Sequence, residues 1–225
     1  MESLEFPHWD ALTPATQQAY ALISPLDFIA QYYLAGGTGL ALHLGHRISV
    51  DLGLFSDHAE AVDATQRHTL RALVEEPDLE IVYDKDGTFV VNWHGVGISF
   101  FRLNQYPLVK PTTLTNDIPL ASLEEIGAMK LAAIIGRGTR KDLVDLYFIL
   151  QHCKLETLFE VAAAKYARIH TFATSAVRAL AYFDDAEALP MPRMIDKTPW
   201  TKMKKFLTQQ ALDAGRKQLS ELWEN

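Results

Sequence analysis

A single cysteine, Cys153, excludes an internal disulfide and any multi-cysteine zinc site. It reads as a small apolar residue packed within a helix. No apolar run reaches the roughly 18 to 20 residues that a membrane span requires. The opening MESLEF is acidic and lacks the basic and apolar stretches of a signal peptide, so a cytoplasmic location is expected and no membrane partner. Internal repeats and low-complexity segments are absent. The eight histidines show no HExxH or comparable ligand spacing, which argues against a zinc enzyme. Basic residues are the minority, with 21 Lys and Arg against 28 Asp and Glu and a formal charge of −7. That balance argues against indiscriminate nucleic-acid binding but leaves room for a local basic patch. What remains is an ordinary globular composition: 48 % hydrophobic and 22 % charged residues in 225. It suits one domain with a large extension, or two small ones.

Thr13-Pro14 starts an N-terminal helix read over Trp9–Leu26. Gln31–Ala35 reads as a short buried strand and Thr38–Leu44 as a helix ended by Gly45. Ser49–Phe55 alternates as a strand with Asp51 and Gly53 on one face. Helical spacing covers Glu60–Glu75. Strands follow over Leu79–Tyr83, Thr88–Trp93 and Val96–Arg102, with Asp86-Gly87 a strong hairpin signal and His94-Gly95 a weaker one. The prolines between Tyr106 and Pro119 mark a loop-rich crossover. From Ala121 the text is helical. Ser122 and Glu125 form a capping box, and helices are expected to Ile135, over Arg140–His152, Leu155–Lys165 and Thr171–Tyr182, and from Pro199 onward. The order reads as an α+β core with a helical C-terminal half, divided at 116/117.

The stretch YLAGGTGLALHLGHRISVDLGLF concentrates the chemistry. A Gly36-Gly37-Thr38 turn feeding a helix bares backbone N–H groups that suit a phosphate, with the Thr38 hydroxyl as a further donor. A tight strand-to-helix turn with no ligand is the plainer alternative. Asp51, on the following strand, is placed to hold a metal against such a phosphate. Arg47 either contacts phosphate or locks Asp51. This is the layout of nucleotidyl transfer, which needs a triphosphate cradle, carboxylates and a cation for the developing pyrophosphate charge. Further on, Lys130 precedes the turn RGTRKDLVDLYF, where Asp142 and Asp145 share a helix face. They either form outward salt bridges or, with Lys130, face a nucleotide. Phe100, Phe101 and Tyr106 read as packing the sheet onto helices rather than stacking bases, and TPWTKMKKFL as a solvated basic helix face.

These residues resemble the AbiEii/AbiGii-type nucleotidyltransferase toxins of bacterial toxin–antitoxin and phage-defence systems. The resemblance covers nearly the whole chain. It rests on the stretch above, on SFFRLNQYPLVKP, on LASLEEIGAMKLAAIIGRGTRKDLVDLYFIL and on YFDDAEALPMP. It implies a polymerase-β-like nucleotidyltransferase-type mixed sheet with flanking helices, spanning residues 1–116, and a helical domain over 117–225. The implied activity is transfer of a nucleotide from an NTP to RNA, with tRNA the known target in related proteins. Mg²⁺ or Mn²⁺ would assist, and a separately encoded DNA-binding antitoxin would be the cognate partner. Carried over by motif, Gly36, Gly37 and Thr38 form the phosphate turn and Asp51 is the first metal acid. Lys130 is the triphosphate lysine, and Asp145, with Asp142, the later acid. The chain departs from the family pattern at Gly53, where the strand motif Asp-x-Asp has its second acid, and at Ser99, where the wider superfamily has a third. A catalytically degenerate relative that binds nucleotide or a partner is the alternative reading.

Overall fold

The computed structural model describes residues 4–73 and 79–223. The chain divides into two compact units, Met1–Ser122 and Leu123–Asn225. In the first, a 3-10 turn at Trp9–Ala11 precedes helix α1 (Pro14–Ile23). The helix expected from Trp9 is interrupted because the residue before a proline is pushed out of helical geometry. Thr13 is extended and caps α1 instead, its hydroxyl accepting the Thr16 N–H at 3.1 Å. Strand β1 (Tyr33–Ala35) runs straight into α2 (Gly36–Leu44). Gly36 makes that turn at φ +64°, and Gly45 stops the helix at φ +60°.

Strand β2 (Leu52–Ser56) begins after Asp51, later than the alternation suggests. Helix α3 (Ala64–Ala72) begins after Asp63, whose carboxylate accepts the Gln66 N–H at 2.8 Å. Of the helix expected over Glu60–Glu75, Val74 and Glu75 lie outside the described residues. Strands β3 (Leu79–Lys85), β4 (Thr88–Trp93) and β5 (Val96–Arg102) follow as two hairpins. Both turn pairs, Asp86-Gly87 and His94-Gly95, have positive φ at each residue, the twist-matched turn for a two-residue hairpin. Two three-residue strands, β6 (Thr113–Thr115) and β7 (Ile118–Leu120), lie where the sequence reads as a loop. Periodicity has too few residues to register there, and Pro119 masks β7. β7 pairs with β1, so it belongs to the sheet although it follows residue 116.

The seven-stranded sheet has the order β3-β4-β5-β2-β1-β7-β6, mixed because β2 runs parallel to β5 and β1 parallel to β7. One face is the core. Leu34, Leu54, Phe100 and Phe89 form a row of directly paired residues on β1, β2, β5 and β4, all fully buried. Ala19, Tyr20 and Ile23 of α1 belong to the same apolar cluster. The other face carries the row Ala35, Gly53, Ser99 and Val90.

The second unit is helical: α4 (Leu123–Gly136), α5 (Arg140–Ile149), α6 (Leu155–Lys165), α7 (Phe172–Leu180), the single turn α8 (Asp184–Glu187) and α9 (Trp200–Trp223). Leu131, Leu143, Leu146, Leu158, Leu180 and Leu207 are buried in it. Among the described residues no helix is long and apolar enough to cross a membrane.

Candidate functional site

Ala35 offers no side-chain cap to α2, which leaves the first N–H groups of that helix to other acceptors. Gly37 in this turn is shaped by its neighbours. A Cβ there would lie 2.5 Å from Nη2 of Arg47 and 3.3 Å from Oγ of Ser49. The absent side chain lets a buried guanidinium lie against the turn's backbone. Arg47 is only 6 % exposed and donates to the Ile48 carbonyl at 3.2 Å. A positive charge is thus fixed beside an uncapped helix start, the arrangement an anion needs.

Thr38 is buried, and its hydroxyl donates to the backbone carbonyl of Asp51 while sharing a hydrogen bond of 2.8 Å with Ser49 Oγ. The group expected to serve a phosphate directly is therefore turned onto the next element. It ties the start of α2 to the residue that precedes β2, and so sets Asp51 beside the turn. Asp51 itself is exposed, and its Oδ1 accepts the Gly97 N–H at 3.2 Å. Gly97 lets the carboxylate approach closely, since a Cβ there would stand 2.9 Å from the same oxygen.

Position 53 lies in β2 two residues after Asp51, which precedes the strand, and Ser99 of β5 is its direct partner across the parallel pairing. Positions 51, 53 and 99 therefore converge, and two of the three carry no carboxylate. Asp57 does not substitute: its Oδ2 accepts the Leu108 N–H at 2.9 Å and fastens the loop after β5. No group of three or more His, Cys, Asp or Glu able to hold a metal occurs among the described residues. A divalent ion with oxygen ligands needs several anionic donors from the protein or its ligand. The donor set here does not build such a site alone. Restoring it has a defined obstacle: a Cβ on Gly53 would come 3.2 Å from the Phe55 ring, which Tyr33 and Phe101 hold from both sides. Gly53→Asp with Ser99→Asp and Phe55→Leu is expected to bind Mn²⁺ roughly ten- to a hundredfold tighter than the parent. Gly53→Asp alone gains less. Electron paramagnetic titration of free Mn²⁺ checks both.

In the helical unit Lys130 and the two aspartates form one cluster. The Lys130 ammonium lies 2.9 Å from Asp142 Oδ1 and 2.6 Å from Asp145 Oδ2, and both carboxylates are fully buried. Asp142 also accepts from Arg137 at 2.8 and 3.1 Å and from the Thr139 hydroxyl at 2.5 Å. Burial alone would raise its carboxyl. The Lys130 charge and the hydrogen bonds from Arg137, Thr139 and Lys130 overcome that, from a usual 3.8 down to about 2. Because the folded value is depressed, its stabilisation is complete above pH 4 and is lost as pH falls from 4 through 2. It amounts to about 2 kcal/mol. Asp142→Asn is expected to remove that acid-dependent component, as measured by urea unfolding between pH 2 and 5. Arg137 is the exposed member, with 59 % of its side chain open to solvent.

Sequence reasoning brings together Gly37, Arg47 and Asp51 in the first unit, and Lys130, Asp142 and Asp145 in the second. It passes over Ser49 and Gly97, which fix Thr38 and Asp51 and stand out only once β2 and β5 are known to be parallel neighbours. A family model described as "Nucleotidyl transferase AbiEii toxin, Type IV TA system" matches residues 20–225. An uncharacterized protein of Aquifex aeolicus is 30 % identical over 174 residues, covering 76 % of this chain and 82 % of that protein. The nucleotidyltransferase toxin MenT4 of Mycobacterium tuberculosis shares the fold, with a TM-score of 0.61 at 16 % identity. That likeness covers 87 % of this chain and 80 % of MenT4.

Proposed function

The chain belongs to the AbiEii nucleotidyl transferase toxin family, and on that premise we propose that it transfers a nucleotide from an NTP to RNA, with tRNA as the acceptor, in the cytoplasm. A cognate antitoxin is the counterpart of such a toxin. The observation that carries this reading is the Gly37 turn with the Arg47 guanidinium packed against it and Asp51 tied alongside by the Thr38 hydroxyl. The turn's N–H groups take phosphate oxygens, and Arg47 offsets their charge. Asp51 holds the attacking hydroxyl and takes its proton as the new O–P bond forms and pyrophosphate leaves. A bound divalent ion, Mg²⁺ or Mn²⁺ arriving with the NTP, would add neutralisation of the triphosphate. In the helical unit, Lys130 and Asp145 correspond to the family's later lysine and acid, with Arg137 and Thr139 gathered on Asp142. Lys and Arg outnumber Asp and Glu only in that unit, which favours it for holding a polyanionic acceptor.

Gly53 and Ser99 favour a second reading, a relative that binds nucleotide without transferring it. One experiment separates the two. Each of the four α-labelled NTPs is incubated with the protein and total bacterial RNA. Label entering RNA from at least one NTP supports transfer. No label, from protein that still retains an NTP by calorimetry, supports binding alone and overturns the transfer reading.

A further inference from the structure

Phe100 and Phe101 are neighbours in sequence and opposites in the sheet. Phe100 is fully buried and touches Tyr32 and Phe28 edge-on in the core. Phe101 stands on the face that carries Gly53 and Ser99, where it is only partly buried. It is the last of three stacked rings. Tyr33, Phe55 and Phe101 are direct partners on β1, β2 and β5. Their centroids are 6.0 Å apart at 29° and 5.1 Å apart at 20°.

Two features distinguish this ladder from core packing. It borders the place where the second acid of the strand motif would stand, with Phe55 against Gly53. It also ends abruptly. The next residue in the row is Thr88 on β4, and the one after is Lys85 on β3. Adjacent strands are about 4.8 Å apart, close to the spacing at which flat rings stack. The ladder therefore ends on a ring whose sheet neighbour is too small to cover it. A planar heterocycle stacked there would have Thr88 and Lys85, the next two residues of the row, beside it. Along β2 the ladder row lies four residues from Asp51, roughly 13 Å. That is the reach of an extended nucleotide from its phosphates to its base.

We propose that Phe101, backed by Phe55 and Tyr33, is a stacking platform for the base of the nucleoside triphosphate whose phosphates lie at the Gly36-Gly37 turn. The inference rests on the nucleotide reading above and adds to it where the base goes and what recognises it. Stacking tolerates every base, so any preference among NTPs comes from the Thr88 and Lys85 edge.

Calorimetry on the full chain tests it, with ATP, GTP, CTP, UTP, inorganic tripolyphosphate and a short single-stranded RNA as separate ligands. Phe101→Leu keeps the apolar bulk and removes the π-face, whereas Phe101→Trp enlarges it. The expected result is a parent that binds at least one NTP more tightly than tripolyphosphate. In Phe101→Leu that NTP weakens about tenfold while tripolyphosphate stays within about twofold, and Phe101→Trp binds as well as the parent or better. Equal binding of NTP and tripolyphosphate by the parent overturns the platform and leaves the phosphate site standing. So does an NTP affinity that Phe101→Leu does not change. If Phe101→Leu instead loses only a short single-stranded RNA, the ring serves the acceptor and the proposal for the NTP base is wrong. Failure of the parent to bind either NTP or tripolyphosphate overturns the nucleotide reading itself, and the platform with it.

Discussion

Asp51→Ala is expected to lower label transfer from NTP to RNA by about a hundred- to a thousandfold, the usual worth of a positioned proton acceptor. No other carboxylate stands at positions 53 or 99 to replace it, because these are Gly53 and Ser99. The loss belongs in the rate at saturating NTP more than in the NTP concentration required. The phosphates are read as held by backbone N–H groups and by Arg47, which the substitution does not touch. Asp51→Asn is the sharper variant. Its amide oxygen still accepts the Gly97 N–H that Asp51 accepts at 3.2 Å, so the loop before β2 keeps its geometry. It cannot take a proton, so its transfer rate falls as far as that of Asp51→Ala. Single-turnover rates on purified RNA, with thermal melts to show that both variants fold, check the expectation. Transfer retained at parental rate by either variant would remove Asp51 from the chemistry.

How far the sequence discloses such a site depends on the scale at which each residue is fixed. The Gly36-Gly37 turn, the hairpins at Asp86-Gly87 and His94-Gly95 and the start of α1 are local matters. Positive φ and a capping hydroxyl are written in single residues, so these elements were legible. Gly53 and Ser99 were legible as departures, but only through the family resemblance. That they are direct partners follows from parallel pairing of β2 with β5, which no local pattern encodes. The same pairing builds the aromatic ladder from residues far apart in the chain. Tyr33, Phe55 and Phe101 have no spacing that announces them, and the run Phe100-Phe101 read as packing because alternation does not say which face of a sheet meets the core. The strands β6 and β7 were hidden for another reason. Each is three residues long and held by its neighbours in the sheet, so tertiary pairing rather than propensity decides them. In the helical unit, Asp142 and Asp145 could be placed on one face from their spacing. That both turn inward onto Lys130 depends on the packing of α4 against α5.

Lys165→Met is expected to cost the helical unit about 3–5 kcal/mol, the largest stability effect of any single substitution considered. Lys165 ends α6 and Glu125 lies in the first turn of α4; both side chains are fully buried, with Nζ 2.7 Å from Oε1. Methionine fills most of the volume and leaves a buried carboxylate without that ammonium, so the penalty is electrostatic rather than a cavity. The control follows from the same physics. Lys165→Met together with Glu125→Leu removes both charges and their desolvation costs, and should recover most of the loss. Urea unfolding followed through tryptophan emission measures both variants, with Trp200 of α9 reporting on this unit. The pair also makes a statement about family resemblance. Glu125 belongs to the long block LASLEEIGAMKL that carries the likeness, and a reader of that block assigns it to a helix cap. Its contact with Lys165, forty residues later, joins α6 to α4, the helix that carries Lys130. A protein in which the single and double variants unfolded alike would show that the pair contributes shape and not charge.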